Sequence, residues 1–449
     1  MLMVGLGATG SATSLFLKEQ GAQVTVSELR DEAAAGPVIQ NLRSRGITVE
    51  AGGHRPQSFL TADLIVTSPG VSPDIPPLRA AAAQGVPIIS EIELAYRFIH
   101  TPLIAVTGTN GKTTTVKLMA EIFRNAGKQI FLGGNVGNPL IEYVLHGHRD
   151  EYIIAEISSF QLEGIQTFRP YISVLLNLQQ DHLDRYASYG EYIAAKARLF
   201  SNQQQGDYAL LNADDADVQK LSPAIKATIL SFSCRRPVSC GIYHSGNQFY
   251  YTVGDHRVSF AADRLRLRGT HNLHNIMAAA AVSTLCGCER EAIERTMQDF
   301  KGLHHRLEFV LERNGIKFYN DSKATNVGSV VSALEAMSPP LILIAGGKDK
   351  GGDYDPLIPL IREKVKALVL IGEAKEKMHR VLKSSTAIFV AETLEEAFER
   401  SVHEASPGDT VLLSPACSSF DMFANYEQRG NAFSALAQRF AGKGNQGEA

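Results

Sequence analysis

No stretch of the 449-residue chain approaches the roughly 18 consecutive apolar residues of a membrane-spanning helix, and Met-Leu-Met-Val-Gly at the start has no basic region ahead of a long apolar segment. Neither a spanning helix nor a secretory signal is expected, which points to a cytoplasmic protein without a membrane partner. An excess of either charge is also lacking. The 44 Lys and Arg stand against 47 Asp and Glu, and this near-balance offers no basic field for nucleic acid. Cysteine is scarce: five residues, at 234, 240, 286, 288 and 417, an odd number without metal-type spacing. Cys286-Gly-Cys288 is too tight for a usual zinc knuckle, so reduced thiols are expected. Cys417 stands apart because it sits in a polar turn with other chemistry-bearing residues.

What is present is an ordinary soluble composition, 44% hydrophobic and 20% charged, on a length that suits about three domains. One stretch carries more information than the rest. Val106-Thr-Gly-Thr-Asn-Gly-Lys-Thr-Thr114 follows the apolar run 103–106 and precedes a helical pattern. Gly108, Thr109, Asn110 and Gly111 would close backbone N–H groups on an anion, Lys112 would bridge the β- and γ-phosphates, and Thr113 or Thr114 would offer a hydroxyl to Mg²⁺. The spacing departs from the strict phosphate-loop pattern, since Val106 stands five residues before Gly111, so the loop must close using Gly108.

Around this loop the pattern is α/β throughout. An N-terminal Rossmann-like domain, 1–99, opens with a short strand and Gly5-Leu-Gly7-Ala-Thr-Gly10; a second strand, 23–27, ends at Glu28, and others follow at 64–67 and 88–89. Only four residues precede Gly5, which points to a short first strand and a natural start upstream. A central phosphate-loop domain, 100–302, has strands expected at 103–106, 152–157, 171–177, 208–212 and 228–232, short antiparallel strands in 234–267, and a long helix from about His271-Asn272. A C-terminal Rossmann-like domain, 303–441, has strands at 316–319, 341–345, 367–371, 387–390 and 410–413, and a polar tail, 442–449, is expected to be disordered. Strand ends are where ligands sit in such sheets, and in the last domain they carry Asn320 to Lys323, Gly346 to Lys350 and Ser414 to Phe420.

A triphosphate needs a cation with hard ligands beside the loop. Glu156 ends an apolar strand, badly placed for a core and well placed for a metal; an exposed rim glutamate is the alternative. His182, flanked by Asp181 and Asp184, ends another strand, although a lone histidine there is open to a structural role. Lys196, among small residues on a helix, reads on its own as a solvated lysine. His305, Arg306, Asp321, Lys323, Lys348 and Lys350 form a polar, mainly basic set of the kind phosphoryl transfer requires, each of them individually unremarkable.

Taken together, Thr107 to Thr114, Gly133 to Gly137, Glu156 to Leu162, Asp181 to Asp184, His271 to Asn275, His305-Arg306, Asn320 to Asn326 and Leu413 to Asp421 resemble the ATP-dependent Mur ligases, and within them the branch that adds D-glutamate. The resemblance implies an enzyme of peptidoglycan precursor synthesis, probing small molecules only. It would phosphorylate the carboxylate of UDP-N-acetylmuramoyl-L-alanine with ATP and Mg²⁺, and let D-glutamate displace phosphate through a tetrahedral intermediate. It implies Lys112 and the loop threonines on the triphosphate, Asn272 and Asn275 near the adenine, and Glu156 and His182 as metal ligands. Lys196 would be carbamylated and so become a metal ligand. His305, Arg306, Asp321 and Lys323 would complete the ATP and acyl-phosphate site; Thr325, Lys350, Ser419, Phe420 and Tyr426 would hold D-glutamate. Gly5, Gly7, Thr9, Glu28, Gly70, Asn135 and His182 would contact the uridine-diphosphate substrate. A monomer is expected. Another Mur-type or folylpolyglutamate-type ligase, or a regulatory ATPase, remains the alternative.

Overall fold

The computed structural model describes residues 1–442 apart from 268. Three sheets form from the apolar runs, each central strand buried on both faces as parallel strands covered by helices must be. Two compact units contain them, one made of Met1–Leu178, Gly190–Asp263 and His274–Gln298, the other of Gln179–Tyr189, Arg264–Leu273 and Asp299–Ala449.

The first unit holds two of the sheets. In the smaller, five parallel strands lie in the order Thr48–Glu50, Thr25–Ser27, Leu2–Val4, Ile65–Thr67, Ile88–Ser90. The first strand is only three residues long, as its position ahead of Gly5 requires. In the larger, nine strands run His256–Ala261, Gln248–Val253, Gly241–Ser245, Thr228–Ser233, Tyr208–Asn212, Ile172–Leu175, Leu103–Thr107, Tyr152–Glu156, Ile130–Gly134. The last three strands in sequence form the expected antiparallel meander, with Gly246 and Gly254 turning at positive φ, and a parallel pairing of Ser231 to Ser233 with Gly241 to Tyr243 joins it to the rest. One apolar cluster runs from Met3 to Ala227 across both sheets. Buried Glu93 adds a polar clasp, accepting from the backbone N–H groups of Gln166, Thr167 and Phe168 at 2.8 to 2.9 Å.

The second unit holds a six-stranded sheet in the order Glu308–Arg313, Ile316–Asn320, Thr410–Leu413, Leu341–Gly346, Val365–Ile371, Ala387–Val390. Its first pair is antiparallel and the remainder parallel. Apolar clusters cover both faces. Three strands went unread in the sequence, Thr48–Glu50, Ile130–Gly134 and Glu308–Arg313; the first is only three residues long, the second ends in two glycines, and the third carries partly buried and exposed residues at a sheet edge. The strand read at 171–177 is shorter, Ile172–Leu175. Gly442 closes the helix Tyr426–Gly442, so the expected disordered tail lies, from 443 onward, outside the described residues. Among the described residues no helix is long and apolar enough to cross a membrane.

Candidate active site

In the first unit the fully buried strand Leu103–Thr107 delivers the chain into the glycine loop, and the helix Lys112–Asn125 leaves it. Gly108 has φ 151° and Gly111 φ 87°, conformations that L side chains rarely adopt. Space is short as well: a Cβ on Gly111 would lie 2.2 Å from Asn275 Oδ1, and one on Gly108 3.0 Å from Leu176 Cβ. The departure from strict spacing is therefore met as the sequence required, with Gly108 making the turn.

Asn177 braces the loop from the next strand end. Its Oδ1 accepts from Asn110 N at 2.9 Å, its Nδ2 donates to Asn110 O at 3.1 Å, and its carbonyl accepts from Thr109 N at 3.0 Å. Sequence reasoning missed this role, because the partners are 67 residues apart. Lys112 folds back onto the loop, donating to Gly108 O at 2.7 Å and Thr109 O at 2.8 Å. Asn275 is buried and accepts from Thr115 Oγ1 at 3.3 Å, which packs it against the start of the same helix. Asn272 belongs to the second unit.

Lys196 corrects the reading of a solvated helix lysine. It is 1% exposed, its Nζ donates to Gly108 O at 2.8 Å, and it lies 4.8 Å from the centre of the Tyr192 ring. The hydroxyl of Tyr192 in turn meets Thr109 Oγ1 at 3.1 Å. A lysine so buried must be compensated by its surroundings.

Glu156 is not the exposed rim residue of the alternative reading, being 2% exposed. Its Oε1 accepts from Asn135 Nδ2 at 2.8 Å, while Oε2 is buried without a hydrogen-bond partner. A carboxylate oxygen buried and unpaired is costly in a protein interior and well suited to a cation. Thr113 and Thr114 are buried in the first turn of the adjoining helix. The donor set is thus oxygen-rich, as Mg²⁺ prefers.

The other glycine turn is braced by Glu28. Its Oε2 accepts from Leu6 N at 2.6 Å, and its Oε1 accepts from Arg30 N and Nε, each at 2.9 Å. Burial works against the charged form, but the bonds from Arg30 and Leu6 outweigh it and hold the carboxyl below its ordinary range. Glu28 therefore shapes the loop, in addition to any ligand contact. Gly5 turns at φ 92°, and a Cβ on Gly10 would fall 2.0 Å from Gly5 O. Gly7 caps the helix Ala8–Glu19, in whose first turn Thr9 lies; Gly70 is exposed beyond Thr67.

In the second unit a cavity of about 370 Å³ is lined by, among others, Asp181, His182, Thr325, Asn326 and Lys350. Asn326 Nδ2 donates to Asp181 Oδ2 at 3.1 Å, and Lys350 Nζ stands 3.8 Å from Asp181 Oδ1. His182 has φ 57°, with its backbone N–H bonded to Asp181 Oδ1 at 2.9 Å. Two of the residues matched to D-glutamate, Thr325 and Lys350, therefore share one cavity with His182. Ser419, Phe420 and Tyr426 are not on its lining; Ser419 is buried and Phe420 exposed.

A second cluster in this unit surrounds Asp321. Ser414 Oγ donates to it at 2.8 Å and Leu307 N at 3.2 Å, yet burial dominates and pushes its carboxyl up to about 7, over these bonds and the charges of Arg306 and Arg429. His305, left-handed at φ 63°, meets Asn320 Nδ2 through Nδ1 at 3.0 Å, and burial lowers its pKa. Lys323 lies 3.6 Å from the centre of the Tyr426 ring. Buried Arg429, unread in the sequence, donates to Ser322 O at 2.8 Å and Cys417 O at 3.1 Å, tying the two polar strand-end segments together. Cys417 is a buried thiol pushed up to about 11 by burial, not a reactive one.

The fold is that of a three-domain α/β protein whose central sheet opens into a glycine-rich strand–loop–helix turn. Three family descriptions match in chain order: the Mur ligase MurD-like N-terminal domain over residues 1–90, the Mur ligase middle domain over 106–283, and the Mur ligase glutamate ligase domain over 305–417. A protein of Geotalea uraniireducens named UDP-N-acetylmuramoylalanine–D-glutamate ligase is 51% identical over 438 residues, 98% of this chain and 97% of its own. One of the same name from Citrifermentans bemidjiense is 49% identical over 443 residues, 99% and 98% of the two chains. The chain belongs to the Mur ligase family. Among solved structures, a pseudomurein peptide ligase type C from Methanothermus fervidus superposes with TM-score 0.63 at 18% identity, covering 98% of this chain and 99% of that one. UDP-N-acetylmuramate-alanine ligase from Thermotoga maritima gives 0.59 at 18% identity with the same coverage. At that identity they speak for the fold.

Proposed function

We propose that this chain is an ATP-dependent carboxylate-amine ligase that joins D-glutamate to UDP-N-acetylmuramoyl-L-alanine. The observation that carries the reading is identity of about half, along essentially the whole chain, to relatives of that name. A carboxylate is a poor electrophile, and transfer of the γ-phosphoryl of ATP to it makes an acyl phosphate. The amine of D-glutamate adds to the acyl carbon, losing a proton, and phosphate leaves from the tetrahedral intermediate as the amide forms.

The buried loop N–H groups, with Lys112, bind the triphosphate and hold its charge in place. Within the first unit, Glu156, Thr113 or Thr114 and a carbamylated Lys196 are the residues that would hold Mg²⁺. When bound, that ion neutralises charge on the transferring phosphoryl group. His305, Arg306, Asp321 and Lys323 serve the ATP and acyl-phosphate groups, with Asn272 and Asn275 at the adenine. Gly5, Gly7, Thr9, Glu28, Gly70 and Asn135 serve the uridine-diphosphate end. D-Glutamate is held by Thr325 and Lys350, with Ser419, Phe420 and Tyr426. The cavity supports this, since Lys350 supplies the cation a side-chain carboxylate needs. The proposed domains are 1–99, 100–302 and 303–441, and the enzyme works as a cytoplasmic monomer on small molecules. Phosphate release with UDP-N-acetylmuramoyl-L-alanine against a panel of amino acids tests the reading. Dependence on D-glutamate is expected; release without any acceptor would instead identify an ATPase.

A further inference from the structure

Away from the phosphate loop, the larger sheet brings together three side chains from segments far apart in the chain. Asp214 follows the strand Tyr208–Asn212, Cys234 follows the neighbouring strand Thr228–Ser233, and His274 stands on the helix Thr270–Leu285. A carboxylate oxygen, the thiol sulfur and an imidazole nitrogen all lie within 4.8 Å of one another, and all three residues are half-buried. We propose that Asp214, Cys234 and His274 form a binding site for a thiophilic divalent cation such as Zn²⁺, separate from the Mg²⁺ of the ATP site.

The donor set selects the ion. One sulfur, one nitrogen and one oxygen suit Zn²⁺ and its neighbours, whereas Mg²⁺ demands oxygen alone. Three protein ligands leave a fourth position for water, the pattern of an open zinc site. Asp214 is already aimed: its Oδ1 accepts from Ser233 Oγ at 2.6 Å, and its Oδ2 accepts from Cys234 N at 2.7 Å and meets His274 Nε2 at 2.9 Å. Those bonds keep the carboxyl in its charged form despite burial. Cys234 Sγ has no hydrogen bond among the described residues and forms no disulfide. Binding takes up the thiolate and releases the thiol proton to solvent, so affinity rises with pH. The ion would fasten the helix that carries Asn275 to two strand ends, and its binding energy would add to the stability of the first unit.

The test uses the full chain, stripped of metal and titrated with Co²⁺ alone. The expected result is a thiolate-to-cobalt charge-transfer band with strong low-symmetry d–d absorption, displaced by Zn²⁺ and lost in Cys234→Ser and in His274→Gln. No charge-transfer band in the wild type, or a band that survives Cys234→Ser, overturns the proposal. Co²⁺ held by the oxygen ligands of the ATP site gives no such band. Because either variant could fold poorly, alkylation of the wild type is read in parallel by peptide mass. Zn²⁺ should protect Cys234 and leave Cys240 as reactive as before, and equal labelling of Cys234 with and without Zn²⁺ also overturns it.

Discussion

Lys196 Nζ donates to the carbonyl oxygen of Gly108 at 2.8 Å, placing a buried cation on the backbone of a phosphate loop 88 residues away in sequence. A lysine in that position bears on the loop rather than on solvent. Lys196→Ala is expected to lower turnover by on the order of 10²–10³-fold, the scale of losing one electrostatic contributor at a transfer site. If the side chain works as a carbamate, short-chain carboxylic acids such as acetate will restore part of the rate. Phosphate release by the variant across an acetate titration measures this, and a flat titration argues against carbamylation.

Much of the architecture was legible because its signals are local. The phosphate loop needs only a strand, two glycines, a lysine and a helix in immediate succession, and the apolar runs of parallel strands report burial on both faces. What stayed hidden depends on distant partners. Nothing in Tyr-Ile-Ala-Ala-Lys-Ala says that Lys196 is buried, since that is decided by packing against Gly108. The bracing by Asn177, the buried Arg429 and the Asp214, Cys234, His274 cluster are likewise contacts between segments that the chain keeps apart. Glu28 shows the reverse case: the acidic residue was placed correctly at a strand end, but its oxygens bind the adjoining backbone.

Glu156 holds one oxygen to Asn135 and leaves the other buried without a partner. Replacing it with Gln keeps the shape and removes the charge. The Mg²⁺ concentration giving half-maximal phosphate release should rise by about tenfold or more, with thermal stability unchanged or improved, because the unpaired buried oxygen is the costly element. An unchanged Mg²⁺ dependence would remove Glu156 from the metal site.

Gly10 has no room for a methyl group, which would sit 2.0 Å from the carbonyl oxygen of Gly5. Gly10→Ala must push the glycine turn away from its helix. The expected effect is a raised KM for UDP-N-acetylmuramoyl-L-alanine with the KM for ATP little changed. Gly36→Ala, inside the helix Glu32–Ser44 where an added methyl meets nothing within 4 Å, is the control. Equal effects on both substrates would mean that the turn does not serve the uridine-diphosphate end.

Lys350 stands in the cavity with Thr325 and faces Asp181 at 3.8 Å. Lys350→Ala should raise the KM for D-glutamate by about 10-fold or more while leaving the KM for ATP nearly unchanged, the signature of a lost ground-state contact. Lys348, whose backbone N–H pairs with Ser418 O at 2.9 Å, gives the comparison. Should Lys348→Ala carry the larger effect on D-glutamate, the assignment of the two lysines is reversed.

Asp321 gives a prediction on stability rather than rate. Burial raises its carboxyl to about 7 in the folded protein, against an ordinary value of 3.8. The folded state therefore holds the proton more tightly than the unfolded chain does. This contribution is fully present below about pH 4, where both states are protonated. It is lost as pH rises towards 7, and above that it is constant. Asp321→Asn, which stays neutral, cannot lose it. The stability difference between wild type and variant should therefore move in the variant's favour from pH 4 to pH 8, by on the order of a few kcal/mol, and level off above pH 8. Buried Glu91, also raised to about 7, titrates in the same window but is common to both proteins and cancels in the difference. Urea unfolding of both proteins across this range measures it. A difference independent of pH would show that Asp321 is ionised in the folded state throughout, held by Arg306 and Arg429.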